Sequence, residues 1–274
     1  MLTPKALSAN ILFRILLYGD TGTGKTSLAA SAAFMPALSP VVFLNFDDGL
    51  ASVAHLSGVW ELSLKPADLM QVVAELNKPR NQRAGVFAEA KTLVVDSLSS
   101  LRDDVLIEVT SARGDVVIPR LQDYGAVNYK LTAFMNALTQ TDYHLIVIAG
   151  ESVEYGADGV TTGVKPLLMP RLQQTVGHMM SYVWHTKILA GEYRLLTLPR
   201  SPYQIKTRNP HYVRKLASES REHIKLRWKG VPEAELEAKL KAGEGWFTLA
   251  MTDAGVVSPG LGYFYDLYMS SIKE

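Results

Sequence analysis

Tyr18-Gly19-Asp20-Thr21-Gly22-Thr23-Gly24-Lys25-Thr26-Ser27-Leu28 is the stretch on which the reading of this 274-residue chain turns. Gly19, four residues, then Gly24, Lys25 and Thr26 have the spacing of a phosphate-binding loop. Glycines let the backbone take positive φ and come close to a polyphosphate. Successive backbone N–H groups then point inward as an anion nest, and a helix starting near Lys25 adds the positive end of its dipole. In such a loop the Lys25 ammonium reaches the β- and γ-phosphates, and the Thr26 hydroxyl is a ligand for Mg²⁺. Residues 19–27 together are the expected binding surface for ATP. The flanks support this: residues 11–18 are an apolar run of strand length, and residues 26–34 are Ala-rich and helix-forming.

Working outward, apolar runs of strand length alternate with helical patterns. Residues 41–46 read as a second strand running into Asp47-Asp48-Gly49, and residues 59–64 as a short one. Residues 66–78 read as a helix, with a proline near its start and Leu69, Val72, Val73 and Leu76 on one face. Residues 92–95 form a buried strand that ends in Asp96-Ser97, followed by a helix over 98–110, an exposed loop over 111–122 and a long helix over 123–141. Residues 144–149 are another buried strand, ending in Gly150-Glu151-Ser152. Residues 153–166, with Gly156, Gly159 and Gly163, read as a mobile loop. A helix is expected over 170–178, and a β-hairpin over 180–189 and 193–198.

Continuous apolar strands separated by helices mean an α/β fold: a mainly parallel sheet flanked by helices, here with a C-terminal hairpin and a short tail. In such sheets ligands gather at the carboxyl ends of the strands. Gly19, Asp47, Asp96 and Glu151 all follow strands directly. Asp96 is therefore the expected second Mg²⁺ ligand beside Thr26. It can also cap the next helix together with Ser97, and the two roles are compatible. Asp47, Asp48 and Glu151 are the candidates to orient or deprotonate an attacking water. Asp47 is best placed, and Glu151 is suited to sense the γ-phosphate.

Composition narrows the class. With 47% hydrophobic and 20% charged residues the chain has the make-up of a soluble globular protein. No apolar run reaches the roughly 18–20 residues of a membrane helix, and the N-terminus lacks a signal-peptide core, so no membrane partner is expected. The absence of cysteine excludes disulfides and thiolate chemistry and fits a cytoplasmic location. The net charge of +1 hides an asymmetry: residues 165–229 carry 13 Lys and Arg against 3 Asp and Glu. Such a block suits a polyanionic partner or a neighbour's nucleotide as well as a solvated basic face.

The order of these features is a phosphate loop, an acidic residue after the second strand, Val94-Val95-Asp96-Ser97, a strand followed by a Gly-rich segment, a hairpin, and then Lys206-Thr207-Arg208. It resembles the RecA-like ATPase core. More closely, through Gln122-Asp123-Tyr124-Gly125 and Ile205-Lys206-Thr207-Arg208, it resembles the compact phage RecA-core proteins described as single-strand annealing proteins or phage nucleotide-binding ATPases. The resemblance spans about residues 8–215 and divides the chain into a core, 1–208, and a basic and aromatic-rich extension, 209–274, for assembly or DNA contact. It implies hydrolysis of ATP with Mg²⁺, and a homo-oligomeric ring or filament with ATP at subunit interfaces. Lys206 and Arg208 would then complete a neighbour's site. Single-stranded DNA would be held on residues 111–122 and 151–170 and just beyond, by Arg113, Arg120, Lys165 and Arg171, with Tyr124 and Tyr155 as stacking candidates. A single-strand-binding protein is a further implied partner, and a bacterial host cytoplasm the implied setting. The family usually has Glu where Asp47 stands, one methylene longer. The alternatives are a slow nucleotide-dependent switch or assembly ATPase with no DNA role, and a small-molecule kinase, which the lack of an Arg-rich lid disfavours.

Overall fold

The apolar runs become the central strands, and each turns its alternate side chains to opposite faces. In the computed structural model, which describes residues 12–47, 49–112, 118–251 and 257–272, the strands and helices follow in the order β1 (Arg14–Gly19), α1 (Lys25–Ala30), β2 (Val41–Asn45), β3 (Val59–Ser63), α2 (Leu69–Leu76), α3 (Val86–Glu89), β4 (Thr92–Asp96), α4 (Leu98–Ser111) and α5 (Leu121–Thr139). Then come β5 (His144–Ala149), β6 (Glu151–Tyr155), β7 (Thr161–Pro166), α6 (Pro170–Met179), β8 (Tyr182–Leu189), β9 (Glu192–Leu196), β10 (Lys206–Thr207), α7 (Pro210–Arg227), α8 (Glu233–Gly243), β11 (Trp246–Met251), β12 (Val257–Ser258) and α9 (Leu261–Ile272). The large sheet has the order β3-β2-β4-β5-β1-β8-β9-β11-β12, with β10 added antiparallel to β8. From β3 to β8 every pairing is parallel. From β8 outward the pairings are antiparallel.

The inner strands β2, β4, β5 and β1 are buried on both faces, which is why they read as nearly continuous apolar runs, whereas the edge strand β3 is partly exposed and carries Glu61 and Ser63. Ile15, Leu17, Phe43, Val94 and Ile148 join one core cluster with α1, α7 and α9; Leu16, Tyr18, Val42, Leu44, Val95 and Val147 join the other with α2, α4, α5 and α6. Each fully buried Leu, Val, Ile or Phe stabilises the fold by roughly 1.5–3 kcal/mol relative to exposure. The segment after residue 208 belongs to this sheet and core. Strand β11 extends the sheet through β9, and Tyr212, Leu216, Phe247, Leu261, Phe264 and Tyr268 are buried in the first cluster. The aromatic run of α9 thus packs on its own subunit. Among the described residues no helix is long and apolar enough to cross a membrane.

One expectation is corrected. Residues 153–166 belong to an antiparallel hairpin, β6 with β7, and are not a loop. Its turn holds Gly156 and Gly159, the latter at φ +76°. Gly163 sits opposite Glu154, and an added Cβ there would lie 2.7 Å from Glu154 Oε2. That glycine lies within the paired strand β7. Val153 and Val164 face each other across the pair, and both contribute to the second core.

Candidate nucleotide-binding site

Strand β5 lies between β1 and β4, so the carboxyl ends of three neighbouring strands present the phosphate loop, Gly150 and Asp96 side by side. Gly22 and Gly24 take positive φ, +76° and +84°, and Gly24 is the N-cap of α1. Gly19 is constrained differently: a Cβ there would meet the Thr186 carbonyl oxygen at 2.3 Å and Thr186 Oγ1 at 2.4 Å. The loop is anchored to β8 through Thr23, whose Oγ1 donates to Asp20 O at 2.7 Å and shares a 2.8 Å hydrogen bond with Thr186 Oγ1. Lys25 Nζ donates to Gly19 O at 2.9 Å and Asp20 O at 2.6 Å. Burial lowers the Lys25 pKa, while Asp96, Asp20, Glu151 and Asp47 oppose that shift.

Thr26 Oγ1 donates to Asp96 Oδ2 at 2.8 Å across 70 residues of sequence. Asp96 is buried, and burial pushes its carboxyl up to about 6, with Asp47 adding to the rise and the Thr26 hydrogen bond and Lys25 opposing it. This pair fits Mg²⁺: both donors are hard oxygens, and Mg²⁺ is usually held by one or two carboxylates, substrate phosphates and water. Among the described residues no cluster of three or more metal-binding side chains exists, so the phosphates would complete the coordination. Ser97 caps α4 by accepting from Ser100 N, and the Asp96–Ser97 peptide is cis.

Asp47 accepts from Ser100 Oγ at 3.1 Å and from Gly49 N at 3.2 Å. It lines a cleft of about 600 Å³ together with Thr21, Lys25, Thr26, Asp96 and Gly150, a size usual for small-molecule sites. Glu151 lies just beyond that lining. Its Oε2 is 2.7 Å from Nε2 of His185, a buried ring packed between Tyr18 and Tyr203. Burial lowers the His185 pKa, and Glu151 opposes that shift.

The other expected residues are dispersed. Lys206 pairs with Val183, which stands beside Leu16, whereas Gly19 stands beside Thr186. Lys206 therefore lies three residues, or about 10 Å, back along the sheet from the phosphate loop. Its Nζ donates to Gly177 O and Met180 O at 2.5 and 2.9 Å, and Arg208 donates to His178 O at 2.6 Å. Both cations sit on the carbonyl end of α6, where the helix dipole favours positive charge. Burial and the nearby Arg208 push the Lys206 ammonium down to about 8. Lys165 is held in a cross-strand ion pair with Glu154. Arg120 precedes α5 and Arg171 opens α6, and neither guanidinium has an ion pair among the described residues. Tyr155 is 67% exposed on the hairpin and Tyr124 is partly exposed on α5. Arg113 and Asp48 lie outside the described residues.

Sequence reasoning missed Thr186, His185, Ser99 and Ser100. Ser99 Oγ accepts from Gly150 N at 3.0 Å and Ser100 holds Asp47. Three serines in the four residues after Asp96, at 97, 99 and 100, are the available signal for Ser99 and Ser100. His185 and Thr186 lie in the middle of β8 and carry no local signal; their place beside the loop comes from the pairing of β8 with β1.

A phosphate loop at the end of a central parallel strand, with a hydroxyl–carboxylate pair beside it, defines a P-loop nucleoside triphosphatase. The chain belongs to the family described as AAA domain, whose sequence profile matches residues 13–209. No curated protein matches it. Among solved structures, the crystal structure of the RadB recombinase is similar at 13% identity, covering 90% of this chain and 89% of that one, with a TM-score of 0.45.

Proposed function

We propose that this protein is a RecA-like ATPase that binds and hydrolyses ATP with Mg²⁺, and acts on single-stranded DNA in phage recombination or annealing. The observation that carries the ATPase reading is the 2.8 Å Thr26–Asp96 hydrogen bond, which puts the two expected Mg²⁺ ligands together at the mouth of the loop. Bound Mg²⁺ would neutralise charge on the β- and γ-phosphates. The nest of residues 19–27 cradles the phosphates, and Lys25 compensates their charge. Asp47, oriented by Ser100 and Gly49, takes the proton of the attacking water. It lines the cleft while Glu151 is turned to His185, which favours Asp47 as the base and Glu151 as the γ-phosphate sensor.

The DNA reading draws on the basic segment 165–229 and on the resemblance of residues 122–125 and 205–208 to the phage proteins. Arg120 and Arg171, whose charges no carboxylate neutralises among the described residues, are the assigned phosphate contacts. Lys206 and Arg208 are assigned to a neighbour's ATP in a ring or filament. Lys206, about 10 Å back along the sheet from the phosphate loop of its own chain, is too far to serve that loop, which supports a role toward a neighbour's site. ATP turnover with and without single-stranded DNA tests the reading. Stimulation by DNA is expected; turnover that is indifferent to DNA, with no DNA binding at low salt, returns the protein to a nucleotide-dependent switch.

A further inference from the structure

The phosphate end of the cleft is accounted for by the loop, Asp47 and Asp96, but its lining extends further, to a single aromatic side chain. Tyr193, on β9, lines the same cleft as residues 21–27. The register explains how it gets there. Trp184, Thr186 and Ile188 alternate along β8 and so share one face of the sheet. That face is the one on which α1 packs, since Trp184 and the α1 residues Leu28, Ala29 and Ala30 belong to the same core cluster. Thr186 is hydrogen-bonded to the phosphate loop. The next residue on this face is Ile188, about 7 Å further along the strand, and its direct cross-strand partner is Tyr193. The Tyr193 ring packs on the edge of that cluster and keeps part of its surface free, and Ile188 is 43% exposed. Gly49 and Ser52, on the short helical turn after β2, line the same cleft.

We propose that Tyr193, backed by Ile188, is the platform on which the nucleobase of the bound nucleoside triphosphate stacks. The inference rests on the nucleotide-binding reading of residues 19–27. A partly exposed aromatic ring that packs on a core and lines a polar cleft suits the flat π-face of a base and does not need to read its edge. The hairpin β8–β9 would thereby hold both ends of one ligand: Thr186 fixes the loop that takes the phosphates, and Tyr193 takes the base.

The test compares ATP with inorganic tripolyphosphate, each with Mg²⁺, by calorimetry on the full chain. Wild type should bind ATP more tightly than tripolyphosphate. Tyr193→Ala should weaken ATP about tenfold, in the range of base–aromatic stacking, and leave tripolyphosphate affinity unchanged, which also reports an intact loop. Tyr193→Phe should retain ATP affinity. Equal weakening of both ligands in Tyr193→Ala would overturn the proposal by making the residue structural. An ATP affinity unchanged in Tyr193→Ala would overturn it by putting the base elsewhere. If wild type binds neither ligand, the nucleotide reading itself fails, and that result is distinct from either of the others.

Discussion

Replacing Asp96 by Asn should stabilise the metal-free protein while destroying its metal-dependent chemistry. Asp96 is buried, and its carboxyl is raised from 3.8 to about 6, chiefly by desolvation. A folded-state pKa above the unfolded one means that the native protein binds the proton more tightly. The stability that this proton confers is complete below about pH 4 and is lost as pH rises through about 6. At pH 8 the ionised group costs about 3 kcal/mol, and at pH 5 about half of that. Asn mimics the protonated form and escapes the cost. At about 2 °C per kcal/mol for a chain of this size, Asp96→Asn should melt about 6 °C above wild type at pH 8 in EDTA, and about 3 °C above it at pH 5. Scanning calorimetry at the two pH values reads this directly. Adding Mg²⁺ to ATP should raise the melting temperature of wild type further than ATP in EDTA does, and this metal-dependent increment should be smaller in the variant. A melting difference that is absent, or flat with pH, would refute the claim that Asp96 is a desolvated carboxylate held for a cation.

Asp47→Asn should retain ATP affinity and lose about 10²–10⁴-fold in turnover, while Glu151→Gln should lose less and blunt the response to DNA; the reverse pattern in steady-state kinetics would transfer the base to Glu151. Replacing both Arg120 and Arg171 by Ala should reduce the slope of log affinity for single-stranded DNA against log salt by about 1.4, since each lost phosphate contact removes about 0.7; an unchanged slope would take both off the DNA path. Arg208→Ala and Lys25→Ala subunits, each inactive alone, should regain ATPase activity when mixed under conditions of subunit exchange, because some interfaces then combine an intact loop with an intact Arg208; a mixture as inactive as its parts would leave Arg208 as a clamp on α6.

The inner strands of the parallel sheet could be read from the chain because burial on both faces makes them nearly continuous apolar runs. The polar residue closing each strand then marks the ligand-binding edge, which is how Asp47, Asp96 and Glu151 were found. The hairpin over residues 151–166 was misread because its glycines outweighed a short alternation of apolar and polar residues, although one of them, Gly163, lies within the paired strand β7. Thr186, His185 and Tyr193 were invisible for a different reason. Their importance comes from β8 lying beside β1, and no local pattern states that neighbourhood; the Thr23–Thr186 hydrogen bond joins residues 163 positions apart. Lys206 and Arg208 stood out as a basic motif, but their seat on the carbonyl end of α6 depends on the pairing of β10 with β8.

The central claim is that residues 19–27 hold a nucleoside triphosphate for hydrolysis, and the most direct measurement is ATP turnover with Mg²⁺ in wild type and Lys25→Ala at matched concentrations. Lys25 is partly buried at the start of α1, and the carboxylates of Asp96, Asp20, Glu151 and Asp47 favour its charge against the cost of burial. Wild type should hydrolyse ATP, and Lys25→Ala should fall by about 10²-fold or more with weakened ATP binding. A Lys25→Ala protein with wild-type affinity and turnover would contradict the account.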